Sequence, residues 1–491
     1  MLLKFFRNTL TGSFLIIFCL AVFLLIFRIP TVIFAIYIVF ALFATYRLKD
    51  KWFLVFLLLG AFIIRFIYIN IVHTPPESDF KLMYDAAVLL SKGDYSFSQS
   101  RYFMDWGYQT GFVAYQGTVI QLFGEAHAIY ILKTLNCLWN TGLTLLIYLI
   151  AKNHFKEKSA RLASVLYMGL TFSITFVSVL SNQHISIFLI VLGIFFLIDT
   201  RILRMKPLFR SLLAGTFIAL GNIMRPEGLI IITSLMVYFA ILFIRSNNKQ
   251  RLKVVISAAG LFVIYIALNL LFSHIIIDKG INASGLKNNN FYWKFVTGLN
   301  YESKGTYNDQ DVNLVLSSQM TKDERENLEI KLIRERLSIG PLKLGNLFVN
   351  KIQELWCDNP MVWSYNYILR SENPVHLLGN PVKFSDIDAV LQDVQELFTL
   401  TVLVLCLIGV LKRRKSFDDA VFIYIAILVI SFFLYLFIEV QPRYVYLQEI
   451  FLFILGGAGL DVLSDKFNKS GMKSALKSLA GNMKNEDTFF G

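Results

Sequence analysis

The sequence predicts an all-α polytopic membrane protein, and three observations predict it. Hydrophobic residues make up 56% of the 491 residues and charged residues only 16%, where an ordinary globular protein carries roughly 25% charged residues. The apolar residues fall into runs of about 20, the length that crosses a hydrocarbon core at 1.5 Å per residue. The Lys and Arg behind the net charge of +13 stand in short clusters between those runs. That placement fixes orientation in a bilayer and excludes the basic surface of a nucleic-acid-binding protein.

Twelve spans are expected, at about 11–28, 31–47, 53–72, 128–150, 161–179, 184–200, 208–224, 227–244, 254–277, 396–411, 418–438 and 444–463. The first run lacks a small-residue cleavage site and is followed by a second, so it reads as a retained helix. With Lys4 and Arg7 placed in the cytoplasm, alternation puts Arg47/Lys49/Lys51, Lys152/Lys156/Lys158/Arg161, Arg201/Arg204/Lys206/Arg210, Arg245/Lys249/Arg251/Lys253 and Lys412/Arg413/Arg414/Lys415 inside. Every inside segment is basic, and the short outside connections are nearly free of basic residues, as the positive-inside rule requires. Both termini are then cytoplasmic. Pro75, Pro76, Pro226, Pro341, Pro360, Pro374, Pro381 and Pro442 all fall outside or at the outer edge. Cys19, Cys137 and Cys406 lie in apolar runs and only Cys357 in a polar one, so no disulfide framework is expected.

The chain divides into an N-terminal helix pair (1–52), a membrane core (53–277) with a first outer loop (73–127), a large outer loop (278–395), C-terminal membrane helices (396–463) and a basic cytoplasmic tail (464–491). In the first loop, Phe112–Phe123 is apolar but too short to span and is expected as a helix at the interface. In the second, 322–338 and 342–357 read as amphipathic helices, the latter with Leu344, Phe348, Ile352 and Leu355 on one face. The segment 466–484 reads as a basic amphipathic helix on the anionic inner leaflet. No P-loop, GxGxxG motif or internal repeat is present, which argues against a nucleotide substrate.

Charges placed at a membrane are expensive and point to function. Glu77 and Asp79 follow the third span, Gln183 and His184 begin the sixth, and Arg225 and Glu227 join the seventh to the eighth. Glu439, Gln441 and Arg443 join the eleventh to the twelfth. All reach the outer face. A carboxylate there can take the proton of a hydroxyl nucleophile. Arginines bind phosphate through charge-assisted, bidentate hydrogen bonds. Together they suit a sugar leaving a lipid phosphate through an oxocarbenium-like transition state. Arg65 lies inside the third span and is expected to face the bundle, in a structural role or a possible site role. Glu439 is expected to pair with Arg443. Asn136, Asn140, Asn222 and Asn269 read as interhelical hydrogen-bond partners. His184 has no second ligand at metal spacing and reads as an interfacial histidine rather than a metal ligand.

Ser78–Ser96 (SDFKLMYDAAVLLSKGDYS) resembles the first outer loop of GT-C glycosyltransferases, in the branch of protein mannosyltransferases and the aminoarabinose transferase of lipid A. Asp79, Tyr84, Ala87, Gly93 and Tyr95 carry the likeness. Met224–Gly228 (MRPEG) and Glu439–Tyr446 (EVQPRYVY) resemble the family's basic turn and late Gln-Pro-Arg-Tyr segment. The resemblance spans about 53–463, with two extra helices in front and Glu77-Ser78-Asp79 where relatives often carry adjacent acids. It implies a polyprenyl-phosphate sugar donor, undecaprenyl phosphate in a bacterium, and Asp79 as catalytic carboxylate. It also implies substrate contacts from Glu77, Tyr84, Arg225, Glu227, Glu439, Gln441 and Arg443, inversion at the anomeric carbon, and no metal or cofactor. The acceptor is then a cell-envelope glycan, lipid or protein. A transporter, a flippase and a glycan polymerase are the competing readings.

Overall fold

The computed structural model describes residues 28–199, 204–316, 320–371, 375–377 and 380–486. Within them the protein is an all-α polytopic membrane protein, with one small antiparallel hairpin of Val375–Leu377 and Asn380–Val382. Eight helices are long and apolar enough to cross a membrane: Ile29–Arg47, Asp50–Ile71, Glu125–His154, Pro207–Met224, Gly228–Arg245, Asn248–Asp278, Phe384–Arg413 and Pro442–Lys466.

The expected twelve spans are therefore corrected. The run 11–28 lies outside the described residues, apart from its last residue. The run 161–179 is a bent pair, Glu157–Met168 and Thr171–Ser178, meeting at 59°. The runs 184–200 and 418–438 form shorter apolar helices, Gln183–Ile198 and Val421–Phe437. Hydropathy measures apolar length and cannot see a break made by packing. Here the chain turns at Gly169, where a Cβ would meet the Tyr37 ring at 2.1 Å.

Small residues bring the helices together, since lipid supplies no hydrophobic drive for their association. Gly459 touches the Leu405 backbone so closely that a Cβ would lie 2.0 Å from its carbonyl oxygen, and Gly409 faces Ala458 in the same seam. This joins Phe384–Arg413 to the last span. Burial then grades the bundle. The apolar window of Pro442–Lys466 is 78% buried and that of Asn248–Asp278 only 11%, so the former is central and the latter is rim. Asn222 donates to Asn269 at 2.8 Å, Asn136 to the Val177 carbonyl at 3.1 Å and Asn140 to the Tyr446 hydroxyl at 2.5 Å.

The two long loops fold as helices at one end of the bundle. The first carries Ser78–Ser91 and Thr110–Phe123. The latter packs inward rather than lying free at an interface: a Cβ on Gly111 would meet the Ile223 carbonyl at 2.2 Å, and Gln116 is fully buried. The second loop carries Lys322–Leu337 and Pro341–Trp356. Thr321 and Glu324 close a reciprocal capping box at the start of Lys322–Leu337.

The loops meet where Arg325 Nη1 donates to Asp105 Oδ1 at 2.8 Å and Oδ2 at 2.9 Å. Beside this pair Glu329 is fully buried, and neither of its carboxyl oxygens has a hydrogen-bond partner. Burial pushes its carboxyl up to about 7; Arg325 and Arg101 oppose the rise, and Asp105 and Glu326 add to it. Between the ordinary 4.5 and about 7 the folded protein keeps a proton that the unfolded chain has released. Stability therefore falls as pH rises through that window. Glu329→Gln should remove the slope. The thermal midpoint of the wild type in detergent should drop between about pH 5 and pH 8, while the variant stays level and ends higher. Parallel curves would dismiss Glu329 as their cause.

Candidate active site

Asp79 sits in the first turn of Ser78–Ser91, where the helix dipole favours a carboxylate. The residue before it, Ser78, has φ +49°, a left-handed backbone that a non-glycine residue adopts at a cost of about 1–3 kcal/mol. The residue after it, Phe80, lies under the Arg443 guanidinium, with Cζ 4.9 Å from the ring centre. Trp363 and Tyr444 complete a three-sided aromatic cage around Arg443 at 5.4 and 5.6 Å. The helix dipole and cage together place Asp79 beside a buried cation contributed by a segment more than 360 residues away.

Three cations gather around the ring of Tyr444. Arg443 is joined by Arg225, 5.4 Å from the ring centre, and by Lys294, 5.9 Å from it. Arg225 Nε donates to Glu227 Oε1 at 2.6 Å, and Lys294 Nζ to Glu439 Oε2 at 2.8 Å. The other oxygen of Glu439 accepts from the Tyr444 hydroxyl at 3.0 Å and from Gln441 Nε2 at 3.2 Å. Gln441 Oε1 in turn accepts from Arg443 Nε at 2.7 Å. The expected pairing of Glu439 with Arg443 is thus corrected: Lys294 takes the carboxylate, and Gln441 stands between the other two. Arg443 is left with no carboxylate partner among the described residues.

Electrostatics binds the cluster to Asp79. Asp79 is exposed and its carboxyl makes no hydrogen bond to a described residue, yet protein surrounds it on the inner side. This burial pushes its pKa up; Arg443 and Lys294 oppose the rise, Glu439 adds to it and Arg225 opposes it. Burial works against the charges of Lys294 and Arg225, but Glu439 and Glu227 outweigh it and hold both above their ordinary range. Burial likewise works against the Glu439 carboxylate, and Lys294 outweighs it, so its pKa is lowered. The formal charges balance, three cations (Arg225, Lys294, Arg443) against three acids (Asp79, Glu227, Glu439).

The start of Gln183–Ile198, the helix that follows the broken span, supports this cluster. Asn182 Oδ1 accepts from Arg225 Nη1 at 3.2 Å, and Asn182 Nδ2 donates to Gln109 at 3.1 Å. Gln183 is buried and donates to the Arg443 carbonyl at 2.9 Å. It orients the cation's backbone and offers no group to a substrate. His184 is fully buried, with Nε2 3.0 Å from the Phe176 carbonyl and Nδ1 3.3 Å from the Tyr446 hydroxyl. Arg65 does face the bundle. Its Nε and Nη2 donate to the Ser173 carbonyl and hydroxyl at 3.1 and 2.8 Å, and its Nη1 to the Ala61 carbonyl at 2.9 Å. Arg65 and His184 therefore hold the second half of the bent pair, and Gln183 holds the Arg443 backbone; all three are scaffold. Arg65→Met should cost about 2–3 kcal/mol, the range for charge-assisted hydrogen bonds lost in a core. Thermal unfolding in detergent should show the loss, while the affinity of surviving protein for a lipid phosphate stays put. A full-stability variant that no longer binds would return Arg65 to the site.

Two other expected contacts lie elsewhere. Tyr84 is five residues beyond Asp79, about 140° around a 3.6-residue helix. Its hydroxyl donates to the Glu125 carbonyl at 3.4 Å, so it is corrected to a packing residue. Glu77 faces Arg370, 3.8 Å away. Sequence reading missed Lys294, Asn182, Trp363, Tyr102 and Tyr108; the two tyrosines interact with Asp79. A lone Lys in the aromatic run Phe291–Phe295 was the available signal for Lys294. Among the described residues no group of three His, Cys, Asp or Glu side chains could hold a metal ion.

No protein-family model matches the chain, and neither does any curated protein. Among solved structures it is similar to the archaeal oligosaccharyltransferase AglB from Archaeoglobus fulgidus in complex with an inhibitory peptide and a dolichol-phosphate. The identity is 14% and the TM-score 0.46, over 88% of this chain and 52% of that one. The apo form of the Archaeoglobus fulgidus oligosaccharyltransferase is similar at 14% identity and TM-score 0.48, over 87% of this chain and 52% of that one. The chain spans about half the length of these solved structures.

Proposed function

We propose that the protein is a GT-C-type membrane glycosyltransferase that moves a sugar from a polyprenyl-phosphate donor, such as undecaprenyl phosphate, to a hydroxyl of a cell-envelope acceptor. The observation that carries this reading is an exposed carboxylate within electrostatic reach of a caged arginine, neither of them with an ion-pair partner among the described residues. The acceptor oxygen attacks the anomeric carbon, the bond from that carbon to the phosphate oxygen breaks with inversion, and the hydroxyl proton passes to Asp79. Arg443, with Arg225 and Lys294, meets the charge that grows on the departing phosphate. Asp79 gains a proton as the phosphate gains a charge, so the balanced site ends with one net positive charge facing the product. A single phosphate matches this better than a diphosphate. The basic segments between the spans support a site on the outer face of a cell membrane, with both termini inside.

Mass spectrometry of cell-envelope glycans with and without the gene tests the reading. Loss of one sugar mass from one envelope component is expected, and it names donor sugar and acceptor together. Identical profiles would overturn the proposal. The bent pair Glu157–Met168 and Thr171–Ser178 is a feature that a transporter would share. Loss of a flippase would instead leave the lipid-linked sugar on the cytoplasmic leaflet, and Asp79→Asn would barely affect a flippase.

A further inference from the structure

The Lys294–Glu439 pair depends on a joint between two distant segments. The Glu439 N–H donates to the Lys294 carbonyl at 2.7 Å, and the Val440 N–H to the Gly305 carbonyl at 3.0 Å. Gly298 permits the approach, because a Cβ there would lie 2.2 Å from the Ile438 carbonyl carbon and 2.5 Å from Glu439 N. Gly305, at φ +75°, would meet the side chain of Lys351 at 2.8 Å in the same way.

Lys351 closes this joint from a third element. It is fully buried on the helix Pro341–Trp356. Its Nζ donates to the carbonyls of Gly298 at 2.6 Å, Leu436 at 2.9 Å and Ile438 at 2.8 Å. Gly298 ends the short helix that carries Lys294, and Leu436 and Ile438 lie at the end of Val421–Phe437, just before Glu439. Helix C-termini carry unpaired carbonyls and a partial negative charge. One ammonium with three N–H groups satisfies both ends at once, and it makes no contact with Asp79, Arg225 or Arg443.

We infer that Lys351 is a positioning residue, which sets the separation of Lys294 and Glu439 and through them the grip on the donor phosphate. The inference rests on the glycosyltransferase reading above. Its test is the binding of undecaprenyl phosphate to the purified full chain in detergent, with both the Kd and the fraction of binding-competent protein measured. Lys351→Met should weaken the Kd about 10-fold, the equivalent of one charge-assisted hydrogen bond, with the competent fraction unchanged. Lys294→Met should weaken it at least as much. The double variant should bind like Lys294→Met alone, because residues acting as one unit are not additive. Lys351→Gln, which keeps two donors for the carbonyls, should fall between wild type and Lys351→Met and serves if Lys351→Met does not fold. A lower competent fraction at unchanged Kd, or losses that add in the double variant, would reduce Lys351 to a purely structural role and overturn the inference. If Lys294→Met binds as wild type, the donor reading itself fails and takes this one with it.

Discussion

Asp79→Asn should lower sugar transfer by about 1,000-fold, within the range expected for loss of a positioned general base, and should leave the protein folded and able to bind a lipid phosphate. The carboxyl makes no hydrogen bond to a described residue, so nothing structural is lost with it. Burial raises its pKa in the folded state, which means that the ionised carboxylate costs stability at neutral pH. The amide removes that cost, and the thermal midpoint should match or exceed wild type. The same shift sets the pH dependence. The base works only when ionised, so transfer should fail on the acid side, at a pH above the ordinary carboxylate value of 3.8. The residual activity of the variant should show no such limb. Rates measured in membranes across pH, with melting curves alongside, decide it. A variant that transfers at the wild-type rate would take the base away from Asp79.

Arg443→Met should weaken the binding of undecaprenyl phosphate by about 100-fold, as expected when a buried charge partner is removed. Arg225 and Lys294 each already hold a carboxylate, at 2.6 and 2.8 Å, whereas among the described residues the Arg443 guanidinium meets Gln441 and three aromatic faces and no carboxylate. Its guanidinium edge is thus the group most available to a phosphate. Arg443→Lys should recover only part of the loss, since an ammonium neither stacks in the cage nor offers a planar fork. The two substitutions should separate cleanly: Asp79→Asn changes turnover with binding kept, and Arg443→Met changes binding first. Equal affinity in wild type and Arg443→Met would remove the arginine from the phosphate site.

Much of the fold was legible because a bilayer imposes a simple rule, that a crossing helix needs about 20 apolar residues. Eleven of the twelve expected spans fall in the described residues except for residue 200, and each corresponds to helix. The two helices of the second loop were legible from their periodicity, at Lys322–Leu337 and Pro341–Trp356, and the latter alone has a strongly apolar face. The 59° break at Gly169 was hidden, because the backbone groups around it are satisfied by side chains, those of Tyr37 and Gln395 from distant segments and that of Ser173. Asp79, Arg225, Glu227, Glu439, Gln441 and Arg443 were visible as charges and amides between spans. Lys294 was not, since nothing local marks one lysine of a long loop as the partner of Glu439.

Sequence alone determined the class of molecule and the set of polar residues available at one end of it. Composition, run length and charge clusters are properties of the chain in lipid and need no knowledge of which helices touch. Only the tertiary structure decided which cation answers which carboxylate. That choice depends on distances of 2.6–2.8 Å between side chains that are set by glycine seams, a bent span and a buried lysine. It left Glu439 to Lys294, Glu227 to Arg225, and Arg443 caged beside Asp79.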